Sequence, residues 1–124
     1  MGNLSKHFSR HEIECRCGCG FDTIDAETIL IAESARVFYD RPITPSSGAR
    51  CASHNRAVGG EVNSRHLLGR AIDLPVDNPN LLFDYLSAKY PGKYGIGLYK
   101  TFVHIDSRVR EARWIGFGKD SGKV

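Results

Sequence analysis

Apolar and polar positions change period several times along the chain, and each change marks an element. From residue 25 to about residue 39, Ile24, Ile31, Ala35 and Phe38 recur at helical spacing, with acidic Asp25 and Glu27 at the start, where the helix dipole favours negative charge. This predicts a helix, which Asp40-Arg41-Pro42 ends. Ile43-Thr44-Pro45-Ser46-Ser47-Gly48 then reads as a short extended segment running into a turn. A second helix opens at Asn78-Pro79, a cap followed by proline at the first helical position, with Leu81, Leu82, Tyr85 and Leu86 as its apolar stripe. It should stop before Pro91-Gly92.

Elsewhere the period falls to two. Ile72, Leu74 and Val76 alternate with Ala71, Asp73 and Pro75, as in a strand with one apolar face. The stretch YGIGLYKTFVHIDSR holds two runs rich in aromatic and β-branched residues around Lys100-Thr101, which predicts an antiparallel pair of strands. In the second run Val103 and Ile105 share one face, and Phe102, His104 and Asp106 the other. Two strands thus each turn apolar side chains to a core and a His or carboxylate away from it.

The segment SRHLLGRAIDL sets His66 and Asp73 seven positions apart around Gly69. On one helix they would stand about 10.5 Å apart along the axis, too far to bind one ion. A shared metal therefore needs a bend, and Gly69 makes a bend cheap because it lacks a Cβ. With His104 the candidate set is His66, Asp73 and His104. Catalytic zinc takes three such ligands and leaves its fourth place open.

With 124 residues, 41% hydrophobic and 25% charged, the chain is long enough for one domain with its own core. No repeat or linker divides it, so the expectation is a single domain over 1–124 with a Cys-rich N-terminal arm at about 7–21. The net charge of +3 comes from Lys and Arg spread along the chain, which argues against nucleic acid. No apolar stretch has the roughly 18 residues of a membrane span, and MGNLSKHFSR lacks a signal peptide's apolar middle. Lys6 stands where myristoylation expects a hydroxyl residue. The expectation is a monomer made in the cytoplasm, without a membrane partner.

The cysteines fall in two places: Cys15, Cys17 and Cys19 in ECRCGCG, and Cys51 beside Arg50. The first three are too close for routine disulfides to one another, and no Cys-x-x-Cys pair is present. A structural zinc, a disulfide from Cys51 and free thiols all remain open. A structural tie of some kind between arm and Cys51 is favoured. A cysteine-zinc interaction module is the rival that the cluster invites, but it lacks a basic patch with interleaved aromatics.

SGARCASHNRAVGGEVNSRHLLGRAIDL followed by GIGLYKTFVHIDSR resembles the M15 zinc peptidases, in particular the D-Ala-D-Ala carboxypeptidase-like branch of bacterial wall enzymes and phage lysins. The resemblance covers about residues 8 to 114, and its Ser-x-His-x-x-Gly-x-Ala-x-Asp core is Ser64, His66, Gly69, Ala71 and Asp73. It implies a small α+β fold of the hedgehog and DD-peptidase type, helices packed on a mainly antiparallel sheet. It implies zinc on His66, Asp73 and His104, and hydrolysis of an amide bond in peptidoglycan stem peptides. Arg50 is then a substrate anchor, able to hold a carboxylate or oxyanion, and Ser64 orients the site or caps its turn. Acting on the wall implies release from the cell or carriage on a phage particle.

One position departs from that pattern. Many M15 enzymes place an acidic general base three residues before the last zinc His, where this chain has Thr101. Asp106, on the face of His104, is the nearest substitute, either as base or as a carboxylate that orients a ligand or pairs with Arg108. His54 is a further candidate, although a turn residue bonding backbone explains it as well. Thr101 also leaves room for a scaffold that binds zinc and wall peptide without turnover.

Overall fold

Both long helices begin at the caps the sequence supplies. In the computed structural model, which describes residues 2–116, a short helix α1 (Arg10–Ile13) precedes α2 (Ala26–Tyr39). The Asp25 carboxylate accepts the Thr28 amide at the start of α2, and Asp40 closes it in the left-handed region at φ 55°. Next come α3 (Ala52–Ala57), a 3-10 turn (Arg65–Leu68), β1 (Ala71–Pro75), α4 (Pro79–Lys89), β2 (Gly95–Leu98), β3 (Phe102–Asp106) and β4 (Ala112–Ile115). Asn78 caps α4 through the Leu81 amide, with Pro79 in the first turn. No helix among the described residues is long and apolar enough to cross a membrane.

The strands form one sheet in the order β1-β3-β2-β4. β3 is central and antiparallel to both β1 and β2, while β4 joins β2 in parallel. The architecture is a small α+β fold with a mostly antiparallel sheet. Its register puts Ile72 opposite Ile105, Leu74 opposite Val103 and Ile96 opposite Ile105. These residues face the core, where Ile31, Ala32 and Ala35 of α2, Leu82 and Leu86 of α4, and Phe8 and Ile13 of the arm close over them.

The helical stripes are narrower than the periodicity predicts. Phe38 is 36% exposed and Leu81 50% exposed, so neither belongs to the buried stripe, and Val76 is only partly buried beyond the end of β1. The small side chains of Ala32 and Ala35 let α2 lie close on the sheet, and Phe38 instead stacks on Tyr85 of α4 with ring centroids 3.9 Å apart. Leu82 and Leu86 carry the α4 contact, one turn apart. α3, the 3-10 turn and β4 went unpredicted because four to six residues are too few for a period to declare itself.

Candidate metal centre

The bend required between His66 and Asp73 is present. Ser64 opens the 3-10 turn by accepting the His66 amide on its Oγ at 3.2 Å, and Gly69 closes it in the left-handed region at φ 66°. A Cβ at Gly69 would lie 2.5 Å from the Thr23 carbonyl oxygen, so the position suits only glycine. Asp73 is fixed from its other edge: its amide donates to Ser47 O at 2.8 Å and its carbonyl accepts the Ser46 amide at 3.0 Å. The 43–48 segment is thus a one-residue extension of the sheet, through the bridge between Ser47 and Asp73.

On the face away from the core, strand register forms one row: Asp73, His104, Gly97 and Trp114. His66 reaches this row from the 3-10 turn. Its Nε2 lies 3.2 Å from Asp73 Oδ1, and His104 Nδ1 lies 3.0 Å from the same oxygen. All three side chains are buried.

Proton bookkeeping shows what this arrangement wants. His66 Nδ1 lies 2.6 Å from the Gly48 carbonyl oxygen, which can only accept, so that nitrogen carries the proton and Nε2 presents a lone pair. His104 Nε2 lies 2.8 Å from Asp106 Oδ2, which likewise places the proton there and leaves a lone pair on Nδ1. Two lone pairs therefore face one carboxylate oxygen, and a proton or a cation must lie between them. A tetrahedral zinc with bonds near 2.05 Å would set its ligand atoms about 3.3 Å apart, close to the separations found. Neutral imidazoles pinned by an acceptor on the second nitrogen are what a zinc site requires.

The electrostatics agree. Burial acts to raise the Asp73 pKa, but positive charge on the His66 side, where the shared proton or cation lies, and hydrogen bonds with His104 and His66 outweigh it and hold the carboxyl well below the usual range. Burial acts to lower the His104 pKa, and hydrogen bonds with Asp106 and Asp73 turn the shift upward. Asp73 is thus charged at neutral pH, and the pocket attracts positive charge.

The remaining candidates lie around this core. Arg50 is 2% exposed; it donates to Asn55 Oδ1 at 2.9 Å and Ser47 Oγ at 3.0 Å, and stands 4.0 Å from Asp73 Oδ2. Burial pulls its pKa down, opposed by Asp73 and by Cys15. Asp106 is buried behind His104 and accepts from Arg108 Nε at 2.8 Å and from an Arg108 terminal nitrogen at 2.7 Å. Burial would raise its pKa, but hydrogen bonds with His104 and Arg108 keep it far below the ordinary carboxylate value. Thr101 is exposed in the turn before β3. His54 sits in the first half of α3, its amide on Cys51 Sγ at 3.4 Å. Cys15, Cys17, Cys19 and Cys51 converge on one point, and none of the four is in a disulfide.

Among protein families, the one described as Peptidase M15 matches residues 6–106. The chain belongs to the M15 peptidases. Membership makes it a zinc-dependent metallopeptidase, with His66, Asp73 and His104 as the candidate metal site. No curated protein matches the chain.

Sequence reasoning alone overlooks several residues that shape the site of this M15 peptidase. Trp114 packs beside His104 with centroids 5.2 Å apart, donates from Nε1 to Tyr99 Oη at 2.9 Å, and receives the Arg108 guanidinium over its ring at 5.1 Å. Gly97 makes room for it: a Cβ there would lie 2.5 Å from the indole. The lone tryptophan of the chain is a signal, but its place beside Gly97 depends on a parallel pairing of β2 with β4 that no local pattern announces. The Gly48 carbonyl, which sets the His66 tautomer, leaves no side-chain trace at all.

Proposed function

We propose that this M15 peptidase hydrolyses an amide bond in the stem peptides of peptidoglycan, as a D-Ala-D-Ala carboxypeptidase or an endopeptidase. The convergence of the His66 and His104 lone pairs on Asp73 Oδ1 carries the hydrolytic reading. The Ser64, His66, Gly69, Ala71, Asp73 motif supports the choice of substrate. When bound, zinc supplies Lewis acidity, polarising a carbonyl and making water acidic near neutral pH.

The chain's own residues prepare the site for that chemistry. Gly48 O and Asp106 fix the two imidazole tautomers, and Ser64 holds the turn that presents His66. Of the two roles open to Asp106, its placement supports orienting His104, because both carboxylate oxygens are engaged by His104 and Arg108. Arg50 places a buried positive charge beneath Asp73, and its field favours a terminal carboxylate or a developing oxyanion. The protein works as a monomer on wall peptide, reached after release from a cell or on a phage particle.

Thr101 favours a second reading, a scaffold that holds zinc and wall peptide without cutting. Incubating zinc-loaded protein with purified peptidoglycan and weighing the soluble fragments separates the two. New amine termini on stem peptides are expected. Sedimentation with the wall and no released fragment would establish the binding scaffold instead.

A further inference from the structure

The four cysteines form a second cluster, separate from the His-Asp-His group. Their sulfur atoms all lie within 4.8 Å of one another, with Cys15 to Cys17 at 3.5 Å and Cys17 to Cys51 at 3.6 Å. Disulfide bonding would need about 2.05 Å. A tetrahedral zinc with Zn–S bonds of 2.3 Å would instead space its sulfurs about 3.8 Å apart.

Alternate cysteines do not reach one ion in an extended chain, where they stand about 6.6 Å apart. Here the chain coils. Gly18 and Gly20 sit in the left-handed region at φ 81° and 90°, the Gly18 amide donates to Cys15 O at 3.2 Å, and the Cys15 amide closes the loop on Phe21 O at 2.7 Å. Two sulfurs also accept backbone amides, Cys15 Sγ from Cys51 N and Cys51 Sγ from His54 N, both at 3.4 Å, which fixes both side chains toward the cluster.

From this convergence we propose that Cys15, Cys17, Cys19 and Cys51 hold a structural zinc that clamps the N-terminal arm to the segment aiming His66. Residues 48–51 are held at successive positions. Gly48 O accepts His66 Nδ1 at 2.6 Å, Ala49 N donates to Ile13 O at 2.7 Å, Arg50 N donates to His66 O at 3.1 Å, and Cys51 enters the cluster. An ion on the sulfurs would lock the arm, through Ile13 and Cys15, onto the very backbone that fixes the His66 ring. A four-thiolate site suits zinc or iron; exposed Cys17 and Cys19 give no dry shell to tune a redox metal, so the ion is zinc.

The bracing role, though not the thiolate site itself, rests on reading His66 as a metal ligand. Protein purified under reducing conditions should carry two zinc ions per chain, one for each candidate cluster. The Cys17→Ser, Cys19→Ser double variant should lose one and His66→Ala the other. Cobalt in His66→Ala should show intense thiolate-to-metal charge transfer in the near ultraviolet. In the cysteine variant the remaining zinc should pass to a chelator about tenfold more readily, the penalty typical of lost outer support.

Iron at the cysteines, cobalt protein without thiolate charge transfer, or a single zinc that survives in the cysteine variant would overturn the site. An unchanged chelator curve in that variant would overturn the bracing. A single zinc lost from the cysteine variant but kept in His66→Ala would uphold the thiolate site and reject the His-Asp-His one. If the cysteine variant does not fold, organomercurial titration of the unaltered protein decides: blocking the thiols should release one zinc, and release of none refutes the proposal.

Discussion

Asp106 Oδ2 lies 2.8 Å from His104 Nε2, across the ring from the Nδ1 that faces Asp73. The pair forms a carboxylate–imidazole unit whose open nitrogen points into the candidate metal site, and Arg108 braces it from behind. Asp106→Asn keeps the shape but removes the charge that fixes the proton on Nε2. Zinc affinity should fall by about 10- to 100-fold, while wall-peptide hydrolysis recovers at saturating zinc. A rate still reduced by on the order of a hundredfold under saturation would instead give Asp106 a direct part in proton transfer.

Asp73 faces His66, His104 and Arg50 at once, and its removal should cost more than removal of either histidine. Beyond its lone-pair role it stands 4.0 Å from Arg50, which is 2% exposed. Asp73→Ala leaves that buried guanidinium without its nearby carboxylate, a change on the order of 3 kcal/mol. His66→Ala leaves no such charge behind. Denaturation of both variants with chelator present, so that zinc contributes to neither, should find Asp73→Ala the less stable. Equal stabilities would mean that Arg50 does not depend on Asp73.

How much of this could be read beforehand follows the range of each interaction. The faces of β1 and β3 were legible because alternation is local, and the bend at Gly69 followed from what two ligands seven residues apart must do. His66, Asp73 and His104 do come together, as a shared metal would demand. Phe38 misled because periodicity reports that an apolar side chain faces inward, not whether it reaches a sheet or another helix. The Trp114 wall depends on a parallel pairing between β2 and β4, and the Gly48 support on a carbonyl. Neither leaves a local pattern. The cysteines announced a tie by falling in two places, but their convergence needed Gly18 and Gly20 at positive φ.

The N-terminal arm should detach in acid. Glu33 of α2 receives Ser5 Oγ at 2.5 Å, the His7 amide at 2.7 Å and His7 Nδ1 at 2.6 Å. Burial would raise its pKa, but these hydrogen bonds win and hold it below the usual glutamate range. A carboxyl whose pKa is lower in the folded state adds stability above its unfolded pKa, and that stability fades as pH falls through the folded one. Stability should therefore decline below about pH 4.5. Glu33→Gln should lose about 1–2 kcal/mol at neutral pH and show a flatter acid limb. Parallel acid-unfolding curves for the two proteins would show that Glu33 does not anchor the arm.

Gly97 should prove as sensitive as a ligand, although it binds nothing. It lies between His104 and Trp114 in the sheet register, and a methyl group there would meet the indole at 2.5 Å. The ring cannot simply tilt away, because its Nε1 is held by Tyr99 Oη at 2.9 Å and Arg108 covers it. Gly97→Ala must therefore push Trp114 out of its place beside His104 or bend β4 from the sheet, at about 1–3 kcal/mol. Displacement of the ring would open the flank of His104 to water and leave all three candidate ligands in place. Zinc stoichiometry should hold while Trp114 fluorescence shifts to longer wavelength and melting temperature drops. An unshifted emission spectrum with unaltered melting would mean that the indole has room the packing does not show.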